Sequence, residues 1–142
     1  MIADIFKFWI MFTAGAYVYW RHLEAHYRMI EVYRERPVYW IENIKRACFI
    51  LAFAVVGVIM ELGWQVYWLD VLRHVLVLWA LFVLTWDFAL NIRRDLPVTY
   101  VGDSKGSAWD RLRAKVPCWL ELVFKLALVV AAIWFYNYYQ PL

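Results

Sequence analysis

Between residues 47 and 69 the chain carries one charged side chain, Glu61, and between 71 and 90 it adds only Arg73 and Asp87. Stretches this apolar must satisfy their backbone hydrogen bonds internally, and roughly 20 residues of helix match the hydrocarbon thickness of a bilayer. Two more stretches, 5–20 and 118–136, have the same character. A chain of 142 residues that is 65% hydrophobic and 20% aromatic has more apolar surface than a soluble domain of that length can hide. The expected fold is all-α: one polytopic membrane domain over 1–142, with four transmembrane helices and helical loops at 21–46 and 91–117. Asp4 precedes the only early cation, Lys7, and no small-x-small cleavage site follows, so the first segment is expected to be a retained span and not a cleaved signal.

The cations orient this arrangement. Of 15 Lys and Arg residues, six lie at 21, 28, 34, 36, 45 and 46, and six at 93, 94, 105, 111, 113 and 115. The connection between spans two and three, read around Asp70 to His74, carries only Arg73, and the tail "NYYQPL" carries none. The positive-inside rule then puts both basic loops in the cytoplasm and both termini outside, in a bacterial inner membrane or its equivalent. The net charge of +3 gathers on one side, which suits anionic headgroups and not nucleic acid. Tyr39, Trp40 and Trp109 stand beside these cations as a headgroup belt does.

In the first loop Arg21, Glu24, Arg28, Glu31 and Glu35 recur at helical spacing, which predicts a helix continuing from span one until Pro37 ends it. His22 and His26 are one turn apart, the spacing of two metal ligands on a helix face. No acidic residue completes an HExxH or ExxH motif, and His74 is expected across the membrane, so these read as interfacial histidines with no metal or cofactor. Cys48 and Cys118 are too few and too separated for a disulfide framework or a zinc site. In the second loop Ser107 and Asp110 form S-x-x-D, a capping-box variant, followed by Trp109, Leu112 and Val116 on one side of a surface helix. Pro117 suits the first turn of the last span.

Intramembrane charges are costly and are functional candidates by default. Five fall within the expected spans: Lys7, Glu61, Asp87, Glu121 and Lys125. Similar depth pairs Lys7 with Glu61. Glu121 and Lys125 are spaced i, i+4, and Asp87 is within reach of Lys125 or an arginine of its own loop. Interhelix pairing accounts for all five. An ion path through a transporter calls for broken helices or an inverted repeat, and neither pattern is in the sequence.

Asp87, Asn91 and Arg94 share one helix face at the end of span three, where Arg94 is placed to pair with Asp87 or reach headgroup phosphate. Pro97 stops the helix, and Tyr100 and Gly102 make a turn. The order D-x3-N-x2-R-x2-P-x2-Y-x-G, followed by Ser107 and Asp110, resembles a pattern in small membrane proteins of phages and prophages of Bacteroidetes-type hosts, some loosely described as holin-like. The resemblance covers residues 87–112 and implies a small viral or bacterial inner-membrane protein. Holins differ in having one to three spans and often a charged tail. With no catalytic spacing in the chain, the expected function is that of a non-catalytic integral membrane subunit, assembling with itself or with other membrane subunits. The alternatives are a holin-like pore lined by Asp and Glu rings, then a small transporter or membrane redox or metal protein.

Overall fold

The computed structural model describes residues 2–33, 39–100 and 115–138, with side chains except at 2–8, 10–12 and 39. Four long helices, α1 (Ile2–Tyr27), α2 (Tyr39–Leu62), α3 (Trp68–Arg93) and α4 (Cys118–Tyr138), make up nearly all of it, and the described residues include no strand. Three of them, α2, α3 and α4, are long and apolar enough to cross a membrane. The helical extension expected after residue 20 is present: α1 runs to Tyr27 and passes into a π-helical turn, Arg28–Val32, closed by the Tyr33 N–H donating to the Arg28 carbonyl at 3.0 Å.

Helix ends follow local chemistry. α2 stops at Gly63, whose φ of 72° is the left-handed conformation that ends helices and favours glycine. The turn therefore occupies residues 63–67, earlier than the 70–74 connection read from hydropathy, and Asp70, Arg73 and His74 lie inside α3. Hydropathy misplaced the turn because Trp64, Val66 and Tyr67 are as apolar as the helices they join.

α3 ends in a full Schellman motif. The Asp95 N–H donates to the Ile92 carbonyl at 3.2 Å and the Leu96 N–H to the Asn91 carbonyl at 3.0 Å, with Asp95 at φ 54° in the position glycine usually takes. Pro97 follows, and the Tyr100 N–H donates to its carbonyl at 2.8 Å, folding the chain back beneath α3. Pro117 stands just ahead of α4, and its carbonyl accepts from Leu120 and Glu121 at 3.0 and 3.2 Å.

α3 is the central element, packed on α2 along one side and α4 along another, while α1 lies more lightly against α2 and α3. Buried Ala54, Val58, Ala80 and Ala132 let the helices come close, the usual solution where hydrophobic force between helices is absent. The core is unusually polar: seven hydrophobic residues are buried beside His26, Glu42, Asp70, Arg73, Asn91 and Lys125. Those polar residues fall into three clusters, one near the 63–67 turn, one on the α3–α4 seam and one at the opposite, charged end.

Candidate functional site

The first cluster begins with Arg73, 1% exposed. Its Nη2 donates to Asp70, one turn earlier on α3, and its Nη1 to the backbone carbonyl of Tyr136 on α4 at 3.1 Å. The guanidinium also stands 5.1 Å from the Tyr136 ring centre. This arginine therefore holds α4 against α3 and sets the Tyr136 side chain.

The Tyr136 hydroxyl donates to Glu61 Oε2 on α2 at 2.8 Å. His74 meets the same carboxylate oxygen through Nε2 at 3.2 Å, and its Nδ1 lies 2.9 Å from the Asp70 carbonyl. A carbonyl only accepts, so Nδ1 carries a hydrogen and Nε2 is the nitrogen that faces Glu61. Three helices converge on one carboxylate, with both His74 and Tyr136 oriented from behind by the Asp70–Arg73 pair. Glu61's partners are thus His74 and Tyr136; the Lys7 side chain, its expected partner, lies outside the described residues.

This cluster forms one end of a long cleft among α1, α2, α3 and α4. Gly15 and Ala16 of α1, Phe49 and Phe53 of α2, and Leu78 and Phe82 of α3 line its apolar stretch. The Tyr19 hydroxyl and Thr85 Oγ1, 3.2 Å apart, mark its other end. The cleft encloses about 850 Å3, high in the range of about 300–1,000 Å3 for small-molecule sites.

On the α3–α4 seam, Lys125 Nζ donates to Asp87 Oδ2 and pairs with Glu121 Oε1, each at 2.8 Å. The expected Glu121–Lys125 spacing is realised, and of the two partners open to Asp87 the structure brings together Asp87 and Lys125. Arg94 pairs with Glu31 of the π-helical turn, so the Arg94–Asp87 contact expected from their shared face does not form. Asn91, buried between them in sequence, turns away from both: its Nδ2 donates to the carbonyls of Val98 at 3.0 Å and Tyr100 at 2.9 Å, clamping the segment after Pro97. Gly102, Ser107 and Asp110 lie outside the described residues.

At the charged end His22 and His26 are brought together with Glu42 of α2. His22 Nε2 and His26 Nδ1 each stand 3.9 Å from Glu42 Oε2, beyond hydrogen-bond reach, and neither nitrogen has a hydrogen-bond partner among the described residues. Lys45 Nζ holds Glu42 Oε1 at 2.9 Å. Trp86 packs against both imidazoles, with ring centres 5.1 and 5.6 Å away, and the Arg46 guanidinium sits 4.8 Å from its ring centre. Burial pushes the His26 imidazole down to about 4, Arg46 adds to that shift, and Glu42 opposes it. His22 is lowered for the same first reason, its burial. Both are neutral near pH 7.

Among the described residues no group of three or more His, Cys, Asp or Glu side chains is placed to hold a metal ion. Glu24 ties this end of α1 to α3: Arg93 donates to both its oxygens at 3.1 and 3.3 Å and holds its carboxyl below the usual range.

Sequence reasoning missed Asp70, Arg73, Tyr136, Glu42, Arg46 and Trp86. Asp70 and Arg73 show an i, i+3 spacing that was hidden by the misplaced turn. Glu42 and Lys45 show the same spacing but were assigned to a loop. Nothing local marks Tyr136 among so many aromatic residues. Compared with family models, characterised proteins and solved structures, the chain matches none.

Proposed function

We propose that this chain is a multi-pass, non-catalytic subunit that assembles in a membrane with copies of itself or with other membrane proteins. The carrying observation is how little of the apolar surface the chain covers itself: only 6% of the apolar stretch of α4 is buried, against 22% for α2 and for α3. Trp40, Trp64, Trp68 and Trp119 stand exposed near helix ends, as a headgroup belt requires, but Trp79 is 46% exposed near the middle of α3. Aromatic side chains left at mid-helix supply packing area for a neighbouring helix.

The orientation that accompanies this reading has four spans, both termini outside and an inner-membrane location of the bacterial or phage type. Its support is the placement of Arg28, Lys45, Arg46, Arg93 and Arg94 toward one end of the bundle, opposite the 63–67 turn. A pore lined by acidic rings has less support, since Asp87 and Glu121 both engage Lys125 within one chain. Native mass spectrometry of a tagged chain in mild detergent tests the proposal. A defined complex with other copies or other subunits is expected, and a lipid-bearing monomer at all concentrations overturns it.

A further inference from the structure

The cleft beside Glu61 is more specific than an uncovered helix face. Among the described residues its polar groups are confined to its two ends, and its lining contains no Lys or Arg. Along α2 from Phe49 to Glu61 it extends about 18 Å at 1.5 Å per residue. At its head, Glu61 Oε2 receives both the Tyr136 hydroxyl and His74, while Oε1 has no partner among the described residues. Among the described residues the head therefore offers one open acceptor, Glu61 Oε1, beside groups that Arg73 and Asp70 hold in place.

An occupant that fits has an O–H donor at one end and a long apolar tail behind it. A phosphate headgroup is disfavoured beside the Glu61 carboxylate, with no Lys or Arg among the described lining residues. An ammonium head would compete with His74 for the same carboxylate. Aromatic walls at Phe49, Phe53 and Phe82, with the Tyr136 and His74 rings edge to face at 5.2 Å, suit a flat ring and an unsaturated tail.

We propose that this cleft binds a prenylated quinol, with a quinol hydroxyl donating to Glu61 Oε1 and the tail lying along α2 and α3 toward Tyr19 and Thr85. The site is completed by one chain and does not depend on the association proposed above.

The full chain in phosphatidylcholine nanodiscs tests this, with a decyl-tailed benzoquinol as probe and its bis-methyl ether as the control that keeps the tail but lacks O–H donors. Uptake is measured above that of empty discs. Saturable binding of one quinol per chain is expected. The ether should bind about tenfold more weakly, as should the quinol to Glu61→Gln, the scale of losing one hydrogen bond to a charged group. Leu78→Trp, which fills the cleft below the head, should abolish binding. Equal affinity for quinol and ether, unchanged affinity in Glu61→Gln, or uptake that never saturates would each overturn the proposal, leaving partition of an apolar tail or a lipid chain. Displacement of the quinol by a second copy of the chain would do so too. If a variant loses helix content, the ether comparison on the unaltered chain still decides.

Discussion

The two sides of α3 are held by different means. Toward α4, two buried cations bridge the helices: Arg73 binds the Tyr136 carbonyl near one end, and Lys125 binds Asp87 near the other. Toward α1, the middle of the seam has aromatic edges, one hydroxyl pair and a cleft, and among the described residues its ion pairs lie at the charged end, through Glu24 and Glu31. Charges buried at two depths fix both register and rotation, because sliding either helix strands a charge in an apolar seam. A seam of rings has no such penalty and tolerates a void. The α3–α4 pair is therefore the rigid frame, and α1 is the element whose position responds to conditions.

That contrast predicts a graded series. Lys125→Met removes the buried cation that Asp87 and Glu121 share and should cost about 3–5 kcal/mol, read as a large drop in thermal midpoint in detergent. Adding Asp87→Asn should recover part of it, and a Lys125→Met chain as stable as the parent would abolish the distinction between the seams. Acidification comes next and should act on α1.

The His26 imidazole is held at about 4 against an unfolded value of 6.5. Between those values the loosened state binds more protons, so stability is complete above 6.5 and declines as pH falls toward 4. The groups facing His26 are Glu42, Arg46, His22, Arg94 and Trp86. Hydrogen exchange at matched intrinsic rates should show α1 amides losing protection at pH 4.5 while α3 and α4 keep theirs. Uniform loss across all helices would contradict the frame, and His26→Phe should flatten the response.

Asn91→Ala removes two donors to the segment after Pro97 and should cost about 1–2 kcal/mol, with faster exchange confined to residues 96–100. Thr85→Val, on the α1 side, removes the exposed contact with Tyr19 and the hydroxyl's bond to the Leu81 carbonyl of its own helix, and should cost at most about 0.5 kcal/mol. A larger loss would show that α1 is held at mid-helix more firmly than its contacts indicate.

Much of the architecture was legible, because long apolar runs have few outcomes. The all-helical class, three of the four expected spans as helices long enough to cross a membrane, the extension of α1 beyond residue 20 and the Glu121–Lys125 pair all follow from periodicity and spacing. The 63–67 turn was hidden because its residues are Trp, Val and Tyr; its one signal was Gly63 directly after Glu61-Leu62. The Asp70–Arg73 clamp was hidden with it, because an i, i+3 pair has meaning only where the residues are helical. The Glu61–His74–Tyr136 convergence joins three helices over 75 residues between Glu61 and Tyr136, and no local pattern encodes such a meeting. Arg94 and Asn91 share a face with Asp87, as expected, yet choose partners on other segments, because a shared face fixes direction and not the competitor that arrives there.

The pairing of Asp87 with Lys125 also has a consequence for synthesis. Asp70–Arg73 and Glu121–Lys125 are each neutralised within one helix, at i, i+3 and i, i+4. Asp87 has its cation on the next helix, 38 residues later. At about 5–20 residues per second, Asp87 precedes Lys125 by about 2 to 8 s. On the membrane reading proposed above, α4 carries Lys125 together with its own acid Glu121, and its docking adds that one shared cation to the Asp87 side of α3.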